Sequence, residues 1–519
     1  MSLRSIKSVL LGALLPLLVS CTVNPVTGDK ELNLIGEQQE LAIGKKNYGP
    51  YRQAQGGDYV ADPDLVTYVQ GVGKRLTKVS DRPLPYEFHI VNDDSPNAWA
   101  LPGGKIAINR GLLLELESEA ELAAVLSHEI VHAAARHSAQ SLQRGIFLQG
   151  ALVAAGVALA DSDYRQLGML GAGVGANLAK SHYSRDAERE ADLYGMRYMV
   201  RAGYDPAAAV GLQKTFVRLA EDKRQDWLSG LFASHPPSQE RVGNNERELA
   251  TLRNPGGEIG RDRYQRKIAR LRKTKPAYEA YAQARKAIEK DELAKAAKLL
   301  DKAIRIEPRE SQFRVARAEV RQQQGKVKAA QTDFDRAVAM NPEYFLPRLE
   351  RGLFLLEREK YQVARGDLEA SIRLLPTAEG YYGLGQLEQK AGNRARAVEH
   401  FRRVAESDTS VSSLAAKRLA KLDLPSNPGR YVKATLLLNA EGRLLLRLRN
   451  TLPLPVTGIR IAIGKQLGSG FQASNVVRLR GVLQPGESQT VDPGVGVLTK
   501  TQTRGLAVRV QQARPAGVI

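Results

Sequence analysis

Pro308, Pro342 and Pro376 stand 34 residues apart, and no other feature constrains the fold of this chain as much. Ala296, Ala330 and Ala364 keep the same interval, and Ala397 follows after 33 residues. Leu300, Phe334, Leu368 and Phe401 keep phase with them, as do Ala303 and Ala337. A fixed period of this length marks one supersecondary unit copied along the chain. A unit of that size cannot bury its apolar face alone, so the copies must stack. About four copies fit between Thr274 and Leu422, the last without its closing proline.

The pattern resembles tetratricopeptide repeats, whose stacks form a concave, peptide-binding surface in many proteins. That likeness implies a partner site without naming the partner. A chain of 519 residues is too long for one core, so further domains must flank the repeats. Beyond Ser426 the sequence becomes β-rich. Tyr431–Leu438, Arg443–Arg449, Ile459–Ile463, Val476–Leu479, Gln489–Val491 and Leu506–Val510 read as strands, with turns at 440–442 and 484–486. They predict a small β-sandwich. It carries 13 Lys and Arg against 3 Asp and Glu, so +10 of the formal net charge of +20 lies here. Basic β-domains can bind nucleic acid, but an exported chain meets little of it. Anionic lipid or lipopolysaccharide is the better candidate, beside the plainer reading of a solvated basic face.

Export is itself read from the N-terminus. Arg4 and Lys7 precede the apolar run Val9–Val19, which is too short to span a bilayer and reads as a signal peptide over residues 1–20. Leu18-Val19-Ser20-Cys21 resembles a bacterial lipobox, so Cys21 is the expected lipidation site. It is the chain's only cysteine and cannot form an internal disulfide. By likeness to Gram-negative lipoproteins, Thr22 after it favours the outer membrane. The expected location is therefore periplasmic and lipid-anchored. Gly145–Ala160 and Leu167–Ala179 are also strongly apolar. They read as a buried helical hairpin or as a surface facing membrane or substrate.

Between these regions lie Glu37–Lys46 and Leu65–Lys78, which read as helices, and Tyr86–Val91 and Lys105–Asn109, which read as strands. Gly111–Leu116 begins a further helix. Ser118–Ser138 then carries His128-Glu129-Ile130-Val131-His132. Residues four apart share a helical face, so the two imidazoles suit one tetrahedral zinc, with Glu129 as general base on the attacking water. A third protein ligand is required, and it could be a downstream histidine or carboxylate. Structural zinc is disfavoured, since it calls for four closed ligands rich in cysteine. Glu188 and Asp192 are one helical turn apart in Ser184–Asp192, and a carboxylate pair of that kind is weak on its own. His137 and His182 flank the two motifs and read as structural; His89 and His400 carry no assignment.

Three segments together resemble the HtpX/BepA-like zinc metallopeptidases, gluzincins related to the zinc CAAX prenyl protease. They are His128–His137, Ser184–Asp192 and Asn97-Ala98-Trp99-Ala100-Leu101-Pro102-Gly103-Gly104. The resemblance covers roughly residues 24–248, and the repeats after it look like the BepA arrangement. The C-terminal β-domain departs from that arrangement. The resemblance implies that His128, His132 and Glu188 hold one zinc ion per chain and that Asp192 orients a ligating histidine. It also implies that His235, in Ser234-His235-Pro236-Pro237, lies over the site, where it contacts the chemistry or occupies the fourth metal position.

The expected architecture is multidomain: a mainly α zincin-type peptidase domain with a small sheet (21–255), an α-solenoid of repeats (274–423) and the β-sandwich (426–519). The expected function is a zinc endopeptidase degrading misfolded or stalled envelope proteins, with the repeats engaging substrates or outer-membrane assembly machinery. The alternative is a chaperone or assembly scaffold with a latent protease. Gly103–Asn109 reads as an edge strand able to pair with an extended substrate.

Overall fold

The computed structural model describes residues 20–144, 183–221, 235–252, 256–467, 470–499 and 502–517. The signal segment up to residue 19, His182 and both long apolar runs after Arg144 lie outside the described residues. The backbone of Cys21 lies in a short strand, β1 (Ser20–Val23), paired antiparallel with β2 (Lys30–Asn33). None of the helices among the described residues is long and apolar enough to cross a membrane. The chain divides into two compact units, Met1–Arg351 and Gly352–Ile519.

In the first unit, α1 (Glu37–Ala54) and α2 (Pro63–Thr77) precede a three-stranded sheet. Asp62 caps α2 by accepting from Leu65 N, and Pro63 fits the first turn, where no N–H is needed. Leu65, Val69, Val72 and Leu76 form its buried stripe. The sheet holds β3 (Glu87–Val91), β4 (Ala98–Leu101) and β5 (Lys105–Asn109) in the order β3-β5-β4. This corrects the edge-strand expectation. β5 is central, parallel to β3 and antiparallel to β4, and all five of its residues are buried. A strand that also runs as a short apolar stretch between turns does not reveal by itself which side is paired. Among the described residues no strand pairs with the far side of β4, where the Ala100 carbonyl accepts from the Ser138 and Tyr183 hydroxyls.

The chain runs straight from β5 into α3 (Arg110–Glu115) and then α4 (Glu119–Ala134), capped by the Ser118 hydroxyl at Glu121 N. α4 is buried on nearly every face, so it is a core helix, and it carries the His-Glu-x-x-His. Next come α5 (Arg185–Arg201), α6 (Ala207–Glu221) and α7 (Gln239–Thr251). Gly195 of α5 faces α4 so closely that a Cβ would sit 3.3 Å from His128 N, so the absence of a side chain sets the spacing of the two helices.

The repeat helices are α8 (Arg261–Glu289), α9 (Leu293–Ile306), α10 (Ser311–Gln323), α11 (Val327–Met340) and α12 (Phe345–Glu357). α13 (Tyr361–Leu374), α14 (Ala378–Lys390), α15 (Arg394–Ala405) and α16 (Ser412–Asp423) follow. The residues that keep the 34-residue phase are the packing contacts: Ala296, Ala330, Ala364 and Ala397 are fully buried, as are Leu300, Phe334, Leu368 and Phe401. Within the first unit the largest core cluster reaches from the peptidase region into the first repeat helices. Tyr264, Ile268, Leu271 and Ala277 of α8, and Phe313 of α10, pack in the same apolar cluster as α2, β3 and α4.

The second unit ends in two antiparallel sheets. One joins β6 (Val432–Leu438), β7 (Leu444–Asn450) and β11 (Ser488–Val491) in the order β11-β7-β6. The other orders β10 (Val482–Leu483), β8 (Val456–Leu467) and β12 (Leu506–Pro515), with β9 (Gly470–Arg478) also on β8. Leu446 and Leu448 of the first sheet share a core with Val456, Ile459, Ile461 and Ala513 of the second, which is a sandwich packing.

Candidate metal centre

One helical turn separates His128 and His132 on α4, and their Nε2 atoms lie 3.0 Å apart. α5 crosses α4 through Gly195 and brings Glu188 from its first turn to the pair, with Oε1 3.4 Å from His132 Nε2. His235, just before α7, points Nδ1 at the same place, 3.2 Å from His128 Nε2 and 3.0 Å from Glu188 Oε1. One ligand atom from each of these four residues lies within 4.8 Å of all the others. Bonds of roughly 2.1 Å to a tetrahedral metal place neighbouring donors about 3.4 Å apart. The observed separations fit that frame, so the donor set suits a divalent metal, with His235 Nδ1 in the fourth position.

The two histidines are oriented from behind. Asp192 Oδ1 accepts from His128 Nδ1 at 3.0 Å, leaving Nε2 with its lone pair toward the centre. His132 Nδ1 meets His137 Nδ1 at 2.9 Å, and His137 Nε2 meets Glu190 Oε2 at 3.1 Å. With His137 protonated on Nε2 and donating to Glu190, its Nδ1 accepts from His132 and frees His132 Nε2 as a donor to metal. The turn that makes this possible follows α4: Arg136 adopts a left-handed φ of 64° and folds His137 back onto the helix it has just left. Tyr183 stacks on His132 with ring centroids 3.8 Å apart and an interplanar angle of 16°.

Arg241 is the residue that sequence reasoning left without a role. From the first turn of α7 its Nε and Nη2 donate to both oxygens of Asp192 at 2.7 Å, and Nη1 lies 2.9 Å from Glu188 Oε2. Nη1 also donates to the Pro236 carbonyl, which fixes the turn bearing His235. Ser238 caps α7 at Arg241 N, so Ser-x-x-Arg after the Pro-Pro pair was the available signal. His137 stood in plain view in the sequence, but its use depends on the left-handed turn at Arg136.

These contacts set the charges. Without metal, burial opposes ionisation of His128, but the Asp192 and Glu188 carboxylates override it and push its pKa up to about 10, so a metal would have to displace the proton from Nε2. Burial also opposes ionisation of Glu188 and Asp192, yet His235 and the histidine hydrogen bonds hold Glu188 well down, and Arg241 holds Asp192 down. His132 is held well below its ordinary value, chiefly by burial. Glu129 is displaced the other way. Burial raises its pKa, only partly offset by His235 and His128. Its Oε2 and the Nε2 of His235 are buried without a hydrogen-bond partner, and Glu129 Oε1 lies 3.4 Å from that Nε2. A basic, under-bonded carboxylate beside the donor cluster is poised to take and return a proton. A cavity of about 60 Å³ opens beside it, lined by Ala98, Val125, Leu212, Gln213, Phe216 and Asn245.

Two histidines one turn apart, a carboxylate from the next described helix and an adjacent proton acceptor are the set of groups that a metallopeptidase centre requires. Residues 63–248 match Peptidase family M48, and residues 315–379 match the tetratricopeptide repeat. The chain thus carries an M48 metallopeptidase domain followed by such repeats. It is similar to the mitochondrial metalloendopeptidase OMA1 of Schizosaccharomyces pombe, 37% identical over 186 residues, 35% of this chain and 52% of that protein. It is similar to the beta-barrel assembly-enhancing proteases of Yersinia pestis and Escherichia coli. The first is 29% identical over 205 residues, 38% of this chain and 40% of the relative. The second is 28% identical over 248 residues, 45% of this chain and 49% of the relative. The chain thus spans about half, or less, of the length of these three relatives.

Proposed function

We propose that this protein is a zinc endopeptidase of the bacterial cell envelope that degrades misfolded or stalled periplasmic and outer-membrane proteins. The observation that carries the reading is the convergence of His128, His132, Glu188 and His235 beside an under-bonded Glu129. His128, His132 and Glu188 hold one zinc ion, a choice favoured by two imidazoles and a carboxylate with tetrahedral spacing. Bound zinc supplies Lewis acidity toward a peptide carbonyl and toward water. Glu129 accepts the proton from the attacking water and returns it to the leaving amine. Asp192 orients His128 by accepting from its Nδ1. His235 closes the site at rest and must swing aside for substrate.

An extended substrate pairs with β4. Asn109 N bonds the Asn97 carbonyl, so along the antiparallel ladder the N–H groups of Ala98 and Ala100 turn away from β5, to the side that no described strand pairs with. Ala98 also lines the cavity beside Glu129. Main-chain pairing of this kind tolerates sequence, which suits unfolded clients.

The remaining modules follow the same reading. Residues 1–20 are the signal peptide and Cys21 is acylated, tethering residues 21–255, 274–423 and 426–519 to the periplasmic face of the outer membrane. The repeats recruit unfolded or misassembled envelope proteins, or the machinery that assembles them. The bacterial relatives' name, beta-barrel assembly-enhancing protease, supports that client class. A scaffold or chaperone with a latent protease is the second reading, favoured by the seating of His235 within the donor cluster.

Metal analysis and peptide cleavage test the proposal together. The purified chain is expected to hold one equivalent of zinc and to cleave unfolded protein. Glu188→Gln is expected to lose the zinc, and Glu129→Gln to keep zinc but lose cleavage. Full zinc and activity in Glu188→Gln would sink the ligand assignment. Undiminished outer-membrane assembly in cells carrying Glu129→Gln would favour the scaffold.

A further inference from the structure

The C-terminal sandwich has one face that the proposed chemistry does not use. Val477, Val508, Val510, Ile459 and Ile461 pack into its core, so their neighbours along β8, β9 and β12 point outward. Those neighbours are Arg460, Val476, Arg478 and Arg509, which close over the fully buried Ala462 between them. In register, Arg460 lies directly opposite Arg478, and Ala462 lies between Val476 and Arg509. Like charges directly opposite on neighbouring strands destabilise a sheet. Nothing on these strands relieves them. β8, β9, β10 and β12 hold five basic residues, Arg460, Lys465, Arg478, Arg509 and Arg514, and no Asp or Glu. Among the described residues Arg460, Arg478 and Arg514 have no carboxylate partner. Arg460 keeps a buried Nε with no hydrogen-bond partner at all.

Between the cations stand apolar side chains open to solvent. Val476 is 41% exposed, and Val482, beside core-facing Leu483 on β10, is 44% exposed. We propose that this outer face docks on an anionic phospholipid bilayer. Guanidinium groups would meet headgroup phosphates, and the two valines would enter the interfacial layer between them. Nucleic acid is the poorer fit. A strand-binding face needs stacking aromatics, and the one aromatic residue in these four strands, Phe471, is already covered by the Arg509 guanidinium at 4.8 Å. The inference is independent of the peptidase reading and of the anchor.

Vesicle flotation of the full chain carrying Cys21→Ser tests it, because that variant cannot be held by the acyl anchor proposed at Cys21. The chain is expected to float with phosphatidylcholine vesicles containing about 30% phosphatidylglycerol and not with phosphatidylcholine alone. Binding is expected to weaken at least tenfold between ~50 and ~300 mM salt. Arg478→Gln and Arg509→Gln should each cost about fivefold, and the double charge reversal to Glu more than the pair combined. Val476→Ser should weaken binding about twofold without changing its salt dependence. Circular dichroism and Tm identify any variant that fails to fold, and the neutral Gln variants then decide. Equal binding to neutral vesicles, or folded Gln variants that bind as the parent does, would overturn the proposal. So would tighter binding to single-stranded nucleic acid than to the anionic vesicles, which would name a different occupant.

Discussion

His128 and His132 owe their geometry to residues that never face the metal position. The relay from Glu190 through His137 to His132 fixes one ring, and Asp192 fixes the other. Outer partners of this kind are worth roughly 10–100-fold in metal affinity. His137→Ala is accordingly expected to weaken zinc binding by at least tenfold, measured by competition with a chromophoric chelator, while leaving the helix content intact. Arg241 carries a different load. It neutralises two buried carboxylates at once, and stripping one partner from such a group costs about 3–5 kcal/mol. Arg241→Ala is expected to lose that much in chemical denaturation of the metal-free protein. At this scale the sequence was legible wherever chemistry demands a spacing: imidazoles four positions apart, and Glu188 four positions before Asp192. It was silent on Arg241, His137 and Tyr183, whose roles arise only when α7, the turn at Arg136 and the segment leading into α5 meet α4.

Individual elements are held by polar clamps as well as by apolar stripes. Glu119, in the first turn of α4, accepts from Tyr68 of α2, from Tyr204 and from Arg263 of α8, and its carboxylate is almost wholly buried. Burial opposes its ionisation, but Arg263 and the two phenols overcome that and lower its pKa. A carboxyl lowered on folding contributes stability that is present above its unfolded pKa near 4.5 and is lost as pH falls through its folded value. Glu119→Gln is therefore expected to lower Tm at neutral pH, and the gap to the parent should shrink as the pH falls below 4.5 and through the lowered folded value. A gap that persists unchanged into acid would contradict the clamp. Most helices were readable from their 3.6-residue stripes and caps, and most C-terminal strands from alternation. β4 was missed, because Ala98–Leu101 is short, uniformly buried and shows no alternation. Missing β4 made β5 look like an edge, since a central strand and an edge strand share one pattern until the neighbour is found.

At the scale of the whole molecule, the repeat period is visible in sequence from Thr274 onward, yet the peptidase core extends into the first repeat helices. Tyr264, Ile268, Leu271 and Tyr278 of α8 belong to that core. Four large buried side chains are worth about 6–12 kcal/mol, comparable to the entire stability of an ordinary domain. A chain ending at Gly256 is thus expected to lose cooperative unfolding, whereas one ending at Met340 keeps it, as calorimetry would report. Periodicity marks where a pattern begins, but it does not say which neighbour a helix packs against.

The placement of His235 has a pharmacological consequence. Its turn is rooted at Arg241 through the Pro236 carbonyl, so the imidazole can swing but cannot diffuse away. A tethered donor acts at an effective concentration in the millimolar range. On the proposed reading, in which His235 takes the fourth metal position, a metal-chelating inhibitor must displace that internal ligand before it binds, and its measured potency understates its intrinsic affinity. His235→Ala is expected to bind a simple hydroxamate at least tenfold more tightly than the parent by calorimetric titration, even if the substitution alters turnover. Screens run on the parent protein would discard weak chelators that the liberated site retains.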